Sequence, residues 1–234
     1  MQSLIFHLTP LSGPAESCWR WHLRLLNKYA DVFDGQRIFA IATGSGMIPE
    51  SVVLPLLPPR SRAYTVPNNP NTRETESLPM LLEKARSESP GDMVFYAHSK
   101  GLYWVSTPME APTRWWSLAM YRWLLGTPHE VKKCLGWRRH DGTVTTFPDF
   151  SRWHYQGTFF WFNAKELYAC NWRQVDKSRY GTEAYLSRFF GREDAACHHC
   201  FAGGGYGIDP VYSHDFWKRF GIPEGAEADG YHYR

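Results

Sequence analysis

Four consecutive residues, His98-Ser99-Lys100-Gly101, concentrate hydrogen-bond donors and a positive charge after an apolar run, Asp92 to Ala97. A histidine donates, accepts or ligates a metal. A lysine ammonium is a point charge suited to phosphate. A glycine lets backbone approach a ligand closely. A solvated turn has the same composition, so the weight comes from the preceding strand. Tyr155-Gln156-Gly157-Thr158-Phe159-Phe160-Trp161-Phe162-Asn163 is a second candidate. Phe159 and Phe162 read as core. Gly157 and one of Phe160 or Trp161 are candidates for an acceptor pocket, because alternate residues of a strand face opposite sides, and Tyr155 and Trp161 are kept as acceptor candidates. Glu183, near the start of a helical stretch, is either a helix-start carboxylate or a general base acting on an acceptor hydroxyl. Cys197-His198-His199-Cys200 has the look of half a zinc site, with His98, Cys197, His199 and Cys200 as candidate ligands. No second Cys/His pair at finger spacing follows; Cys134, Cys170, His214 and His232 are loose candidates. Gly203-Gly204-Gly205 lacks the Lys-Ser/Thr of a phosphate loop.

The elements that must position these groups follow from hydrophobic periodicity. Short apolar runs predict strands at Leu4–Leu8, Arg37–Ala42, Ala63–Val66 and Asp92–Ala97, the last continuous enough to be covered on both faces. Weaker strand signals lie at Thr143–Phe147 and Gly157–Phe162. Apolar residues at helical spacing (Trp19, Leu23, Leu26, Phe33) predict a first helix capped by Ser12 and stopped at Asp34-Gly35. Further helices are expected over Thr72–Ser89, Pro112–Leu125, Ala164–Trp172 and Thr182–Phe190, with residues 44–60 an irregular crossover. Strands alternating with helices predict a mostly parallel sheet with right-handed crossovers. Ligands of such sheets bind beyond the carboxyl ends of the strands. Thr9, residues 43–46, Asn68, Asn69 and the His98–Gly101 loop would share that rim.

The 234 residues suit a single α/β domain, and with 43% apolar and 21% charged residues disorder is not the default. A net charge of +3 without a basic run argues against nucleic acid as partner. Five cysteines at uneven spacing argue against a secreted disulfide framework. No signal peptide or membrane span is read, and the expected location is the cytoplasm. The 11 Trp, 13 Tyr and 14 Phe exceed what packing asks of a core, and exposed rings suit flat ligand faces such as sugars.

Several motifs occur in a telling order: Tyr96-Ala97-His98-Ser99-Lys100-Gly101, Trp116 with Met120, Gly157-Thr158-Phe159-Phe160-Trp161, and Glu183-Ala184-Tyr185, preceded by Leu25-Leu26-Asn27-Lys28-Tyr29 and Phe33-Asp34-Gly35. Over most of residues 1–190 the chain resembles a group of bacterial and viral glycosyltransferase-like proteins, distantly related to rhamnan-synthesis proteins. The resemblance implies an A-type glycosyltransferase fold, that of nucleotide-diphospho-sugar transferases. It would be one domain over 1–234, with a nucleotide-binding half at 1–110 and an acceptor-side half at 111–234. It implies transfer of a sugar from a nucleotide-sugar donor to a glycan or other hydroxyl acceptor, in polysaccharide biosynthesis. Thr9, His98, Ser99, Lys100 and Gly101 would bind the donor, Tyr155, Gly157 and Trp161 the acceptor, and Glu183 and His98 would be catalytic. Most such enzymes hold a divalent metal, manganese or magnesium, through an Asp-x-Asp pair at the place of His98 and Lys100. That pair is absent here. Either Lys100 offsets the diphosphate charge without a metal, or His98 joins a metal site of other composition. Two other classes share these features: a non-catalytic carbohydrate-binding protein, which needs the aromatics and no charged loop, and a zinc-stabilised interaction domain built on Cys197–Cys200.

Overall fold

The parallel strands form where apolar runs are continuous. In the computed structural model, which describes residues 1–88, 90, 92–126, 129, 140–145, 154–178, 181–191 and 194–197, β1 (Gln2–Leu8), β2 (Arg37–Thr43), β3 (Ser61–Pro67) and β4 (Met93–His98) pair in parallel. β5 (His140–Thr145), β6 (His154–Asn163) and β7 (Ala195–Cys197) extend the same sheet. The order among the described residues is β3-β2-β1-β4-β6-β5-β7. β6 runs antiparallel to both β4 and β5, and β7 is parallel to β5. The expected α/β architecture, a mostly parallel sheet between helices, is what forms.

Alternation along each strand divides the core in two. Leu4, Phe6, Leu8, Phe39, Ile41, Phe95, Phe159 and Trp161 face α1 (Glu16–Lys28) and α4 (Glu110–Leu125). Ile5, Ile38, Ala40, Val94, Tyr96, Phe160 and Phe162 face α3 (Leu78–Glu88) and α5 (Ala164–Tyr168). The short α2 (Glu50–Val53) joins the first layer through Val53. The chain travels outward from β1 to β3 with α1 on one face and returns to β4 with α3 on the other. Two crossovers of one hand require that arrangement. No helix among the described residues is long and apolar enough to cross a membrane.

Several expected boundaries move, each for a local reason. Ser12 does not cap α1; its hydroxyl donates to the Gly46 carbonyl, and a tight turn over Gly13–Ala15 precedes the helix. α1 stops at Lys28, and a turn over Ala30–Val32 drops Phe33 into the core. The expected helix over 72–89 divides into a 3-10 turn, Arg73–Glu76, and α3. Pro79, with no N–H to give, sits in the first turn of α3 and cannot lie deeper. The helix expected over 164–172 ends at Tyr168. The one expected over 182–190 is a turn followed by a 3-10 turn, Leu186–Arg188. Apolar residues three to four apart suit successive tight turns as well as a continuous helix, and here Tyr185, Leu186 and Phe190 are buried that way.

Candidate functional site

β1 and β4 lie side by side at the centre of the sheet with His7 in register with His98. Beyond that pair the two chains are stitched together. The Ser99 amide donates to the His7 carbonyl at 3.0 Å, and the Thr9 amide donates to the Ser99 hydroxyl at 2.9 Å. The Asn68 amide bonds the Thr43 carbonyl, which brings the β2–β3 end to the same rim. Thr9, His98, Ser99, Lys100 and Gly101 are therefore together, as the sequence leads one to expect.

Two buried histidines brace this rim. Ser77 donates its only proton to the Glu74 carbonyl, so its oxygen must accept from His7 Nδ1 at 2.7 Å. His7 Nε2 is then the acceptor for the Thr9 hydroxyl at 3.0 Å. Burial, assisted by His98 and opposed by Glu74, lowers the His7 pKa to about 4 and keeps the ring neutral. His22, on α1, donates from Nε2 to the Lys100 carbonyl at 2.8 Å and faces the Tyr121 hydroxyl with Nδ1 at 3.0 Å. A carbonyl only accepts, so Nε2 carries the proton and Tyr121 donates to Nδ1. Helices α1 and α4 thereby hold the loop by its backbone.

Lys100 points its ammonium over the Trp116 ring at 4.2 Å from the centroid, a cation–π contact with α4. Burial lowers its pKa; the Glu183 and then the Glu74 carboxylate oppose that shift, and Arg73 adds to it. Glu183 thus reaches Lys100 electrostatically, from a turn and not from the first turn of a helix, so no helix dipole supports it. Gly101 has φ of 93°, and an added Cβ would lie 3.0 Å from the Thr113 methyl. Gly101→Ala is expected to cost about 1–2 kcal/mol for the left-handed backbone alone, read as a lower urea midpoint at an unchanged slope.

His98 is 8% exposed and its Nδ1 lies 3.3 Å from Glu74 Oε1. Burial raises the Glu74 carboxyl, but His98, a backbone amide and His7 outweigh it and bring its pKa down to about 2. Glu74 escapes sequence reasoning because a Glu in a supposed helix is ordinary. Only the 3-10 turn turns it toward β4.

Trp161 corrects an expectation. It is fully buried, packs 5.2 Å from Phe95 and 5.9 Å from Phe33 between centroids, and donates its indole N–H to the Leu124 carbonyl at 2.8 Å. No ring face is left for an acceptor sugar. Tyr155 and Gly157 lie on β6, Tyr155 paired with Val144. The rings exposed beside the loop are Tyr103 at 52% and Trp104 at 40%. They sit in a tight turn, Leu102–Trp104, with the Arg73 guanidinium 4.3 Å from the Tyr103 centroid. Their signal in the sequence was adjacency to Gly101.

The donor set at the Asp-x-Asp place does not fit a divalent metal. Lys100 offers donors and no lone pair in its charged form, and its ammonium repels a dication. Among the described residues no group of three or more His, Cys, Asp or Glu side chains converges on one point. Cys197 ends β7, while His198, His199 and Cys200, with Cys134, His214 and His232, lie outside the described residues. Cys170 is half-buried and donates to the Glu166 carbonyl. No protein-family model matches the chain, and no curated protein matches it.

Proposed function

We propose that the protein is a glycosyltransferase of A-type fold that moves a sugar from a nucleotide-sugar donor to a hydroxyl of a glycan, as a cytoplasmic enzyme of polysaccharide biosynthesis. The observation that carries this reading is Lys100. A half-buried ammonium, seated 4.2 Å over the Trp116 ring, stands at the carboxyl end of a central parallel strand, where ligands of such sheets bind. A diphosphate would replace the hydration that burial removes from it. The Ser99 hydroxyl accepts from Thr9, which leaves its proton for a phosphate oxygen. Gly101 brings backbone close to the same ligand.

In the transfer, the acceptor oxygen bonds to the anomeric carbon. The bond from that carbon to the diphosphate oxygen breaks, and the electron pair leaves with the nucleoside diphosphate. The hydroxyl proton passes to a base of the site, for which Glu183 and His98 are the two groups present. Tyr103 and Trp104 offer the acceptor sugar the flat apolar face that Trp161 does not.

The test is thermal unfolding against nucleoside diphosphates and nucleotide sugars, each with manganese and with chelator. A ligand at a hundred times its Kd stabilises by about 2.7 kcal/mol, roughly 5–10 °C for a chain of this size. One nucleotide is expected to give such a shift and to keep it in chelator. Lys100→Ala is expected to weaken that ligand by about 1.5–3 kcal/mol, roughly ten- to a hundredfold. No shift with any nucleotide, together with a glycan that does stabilise the protein, would favour the non-catalytic carbohydrate-binding protein. Undiminished affinity in Lys100→Ala would remove the diphosphate from this loop.

A further inference from the structure

We infer that His98 is the proton acceptor of the site and that Glu74 is its positioning residue, a carboxylate–imidazole pair in which Glu74 holds Nδ1 and leaves Nε2 to the substrate. The base role rests on the transferase reading; the pairing itself does not.

Glu74 is fixed from several sides. The Ser77 amide and hydroxyl both donate to its carbonyl, at 3.3 and 3.1 Å, and Ser77 is in turn bonded to His7 of β1. Arg73, immediately before it, has φ of 50°, a conformation that a non-glycine residue keeps only where its surroundings enforce it. The next residue, Thr75, shares a 2.8 Å hydroxyl contact with Thr182, which ties the turn to the segment bearing Glu183. The His98 ring stands edge-on to Phe159, at 86° and 6.1 Å between centroids. Its Nδ1 lies at ion-pair distance, 3.3 Å, from Glu74 Oε1 and has no other partner among the described residues, and no hydrogen bond is made at Nε2 there either. The charged or titratable groups around it are Glu74 on the 3-10 turn, His7 on β1, His22 on α1 and Lys100 in its own loop.

A carboxylate accepts and cannot donate, so of the two neutral imidazole tautomers it favours the one with its proton on Nδ1. The lone pair then lies on Nε2, of a ring at the carboxyl end of β4. During transfer it takes the acceptor's proton as the acceptor oxygen bonds to the anomeric carbon and the diphosphate departs with its electron pair. The resulting imidazolium is paired with Glu74 and afterwards loses the proton to water. Glu183 acts electrostatically on Lys100, ahead of Glu74. A nucleophile–base–orienter arrangement of this kind is recognised by geometry and not by chain order.

The experiment has two arms on the full chain. Two-bond proton–nitrogen correlation spectra of protein labelled at histidine report which ring nitrogen carries the proton, with His98→Gln assigning the signal. The wild type is expected to show Nδ1–H, Glu74→Ala to show Nε2–H, and Glu74→Gln, which keeps an acceptor oxygen, to retain Nδ1–H. A wild-type Nε2–H form, or a tautomer indifferent to Glu74→Ala, overturns the pairing. Should Glu74→Ala fail to fold, the wild-type spectrum decides. In the kinetic arm, His98→Gln is expected to lower kcat by about 10²–10⁴. Full-rate transfer by His98→Gln overturns the base role alone. A wild type that transfers from no nucleotide sugar overturns the transferase reading and the base role with it, and the spectra then report a structural pair.

Discussion

Acidification from pH 8 to 5 is expected to destabilise the protein by about 4 kcal/mol, through His22 and His7. Both rings are wholly buried and neutral. For His22, burial lowers the pKa, the Lys100 carbonyl opposes, and the charges of Arg114, His98 and Lys100 add to the lowering, to about 3. For His7 the corresponding value is about 4. In the unfolded chain each titrates near 6.5. Below that pH the unfolded state therefore binds protons that the folded state refuses. The contribution is fully present above about 6.5 and is lost as pH falls toward 4 for His7 and 3 for His22, by roughly 2 kcal/mol each at pH 5. Glu74 acts lower down. Its carboxyl, depressed from 4.5 to about 2, contributes above 4.5 and loses that contribution as pH falls toward 2. Urea unfolding at pH 8, 6 and 5 measures the sum. His22→Gln is expected to remove about half of the slope between pH 6.5 and 5. Stability that is flat from pH 7 to 5 would show the rings to be hydrated or charged in the native state. In the folded protein the His22 bond to the Lys100 carbonyl persists through this range, because the ring stays neutral until pH nears 3.

Trp161→Ala is expected to cost about 3–5 kcal/mol, a large share of the stability of a domain this size. The substitution removes a fully buried indole from between Phe33 and Phe95 and leaves the Leu124 carbonyl without its donor. Trp161→Phe, which keeps most of the apolar contact, is expected to cost less. Trp104→Ala is the contrast. Trp104 is 40% exposed, so its removal is expected to change stability by no more than about 0.5 kcal/mol. If Tyr103 and Trp104 receive an acceptor sugar, Trp104→Ala lowers acceptor binding on an intact fold. Denaturation of both variants, with glycan binding by the second, separates a core tryptophan from a ligand-facing one. A cheap Trp161→Ala would return that ring to the list of ligand contacts.

Much of this arrangement was legible in the residues themselves. Apolar runs without alternation marked β1, β2 and β4 as central, because only strands covered on both faces tolerate them. The wholly buried Ile38 to Ala42 and Val94 to Ala97 bear that out. The parallel rule then placed Thr9 and the His98–Gly101 loop on one rim before any coordinate was needed. Strand signals act over neighbouring residues, so a linear pattern contains them. Helix ends were less legible. The same apolar spacing that marked 182–190 as a helix is met by two tight turns, and the choice between them was made by what Tyr185 and Phe190 pack against.

Side-chain partners across long separations were not legible at all. Glu74 meets His98, His7 meets Ser77, and His22 meets the Lys100 carbonyl, each pair some 24 to 78 residues apart along the chain. Nothing in residue type or local period records such a meeting, because the pairing energy exists only once the sheet has brought the chains together. Aromatic roles divide in the same way. Composition indicated more rings than a core needs, yet Trp161 and Trp104 are the same residue type in similarly apolar stretches. The chain alone indicated the four parallel strands, their shared rim and the loop that follows the last of them. Tertiary packing decided which ring is buried, which is left for a ligand and which carboxylate stands behind the histidine, since burial and electrostatics depend on distances through space and not along the chain.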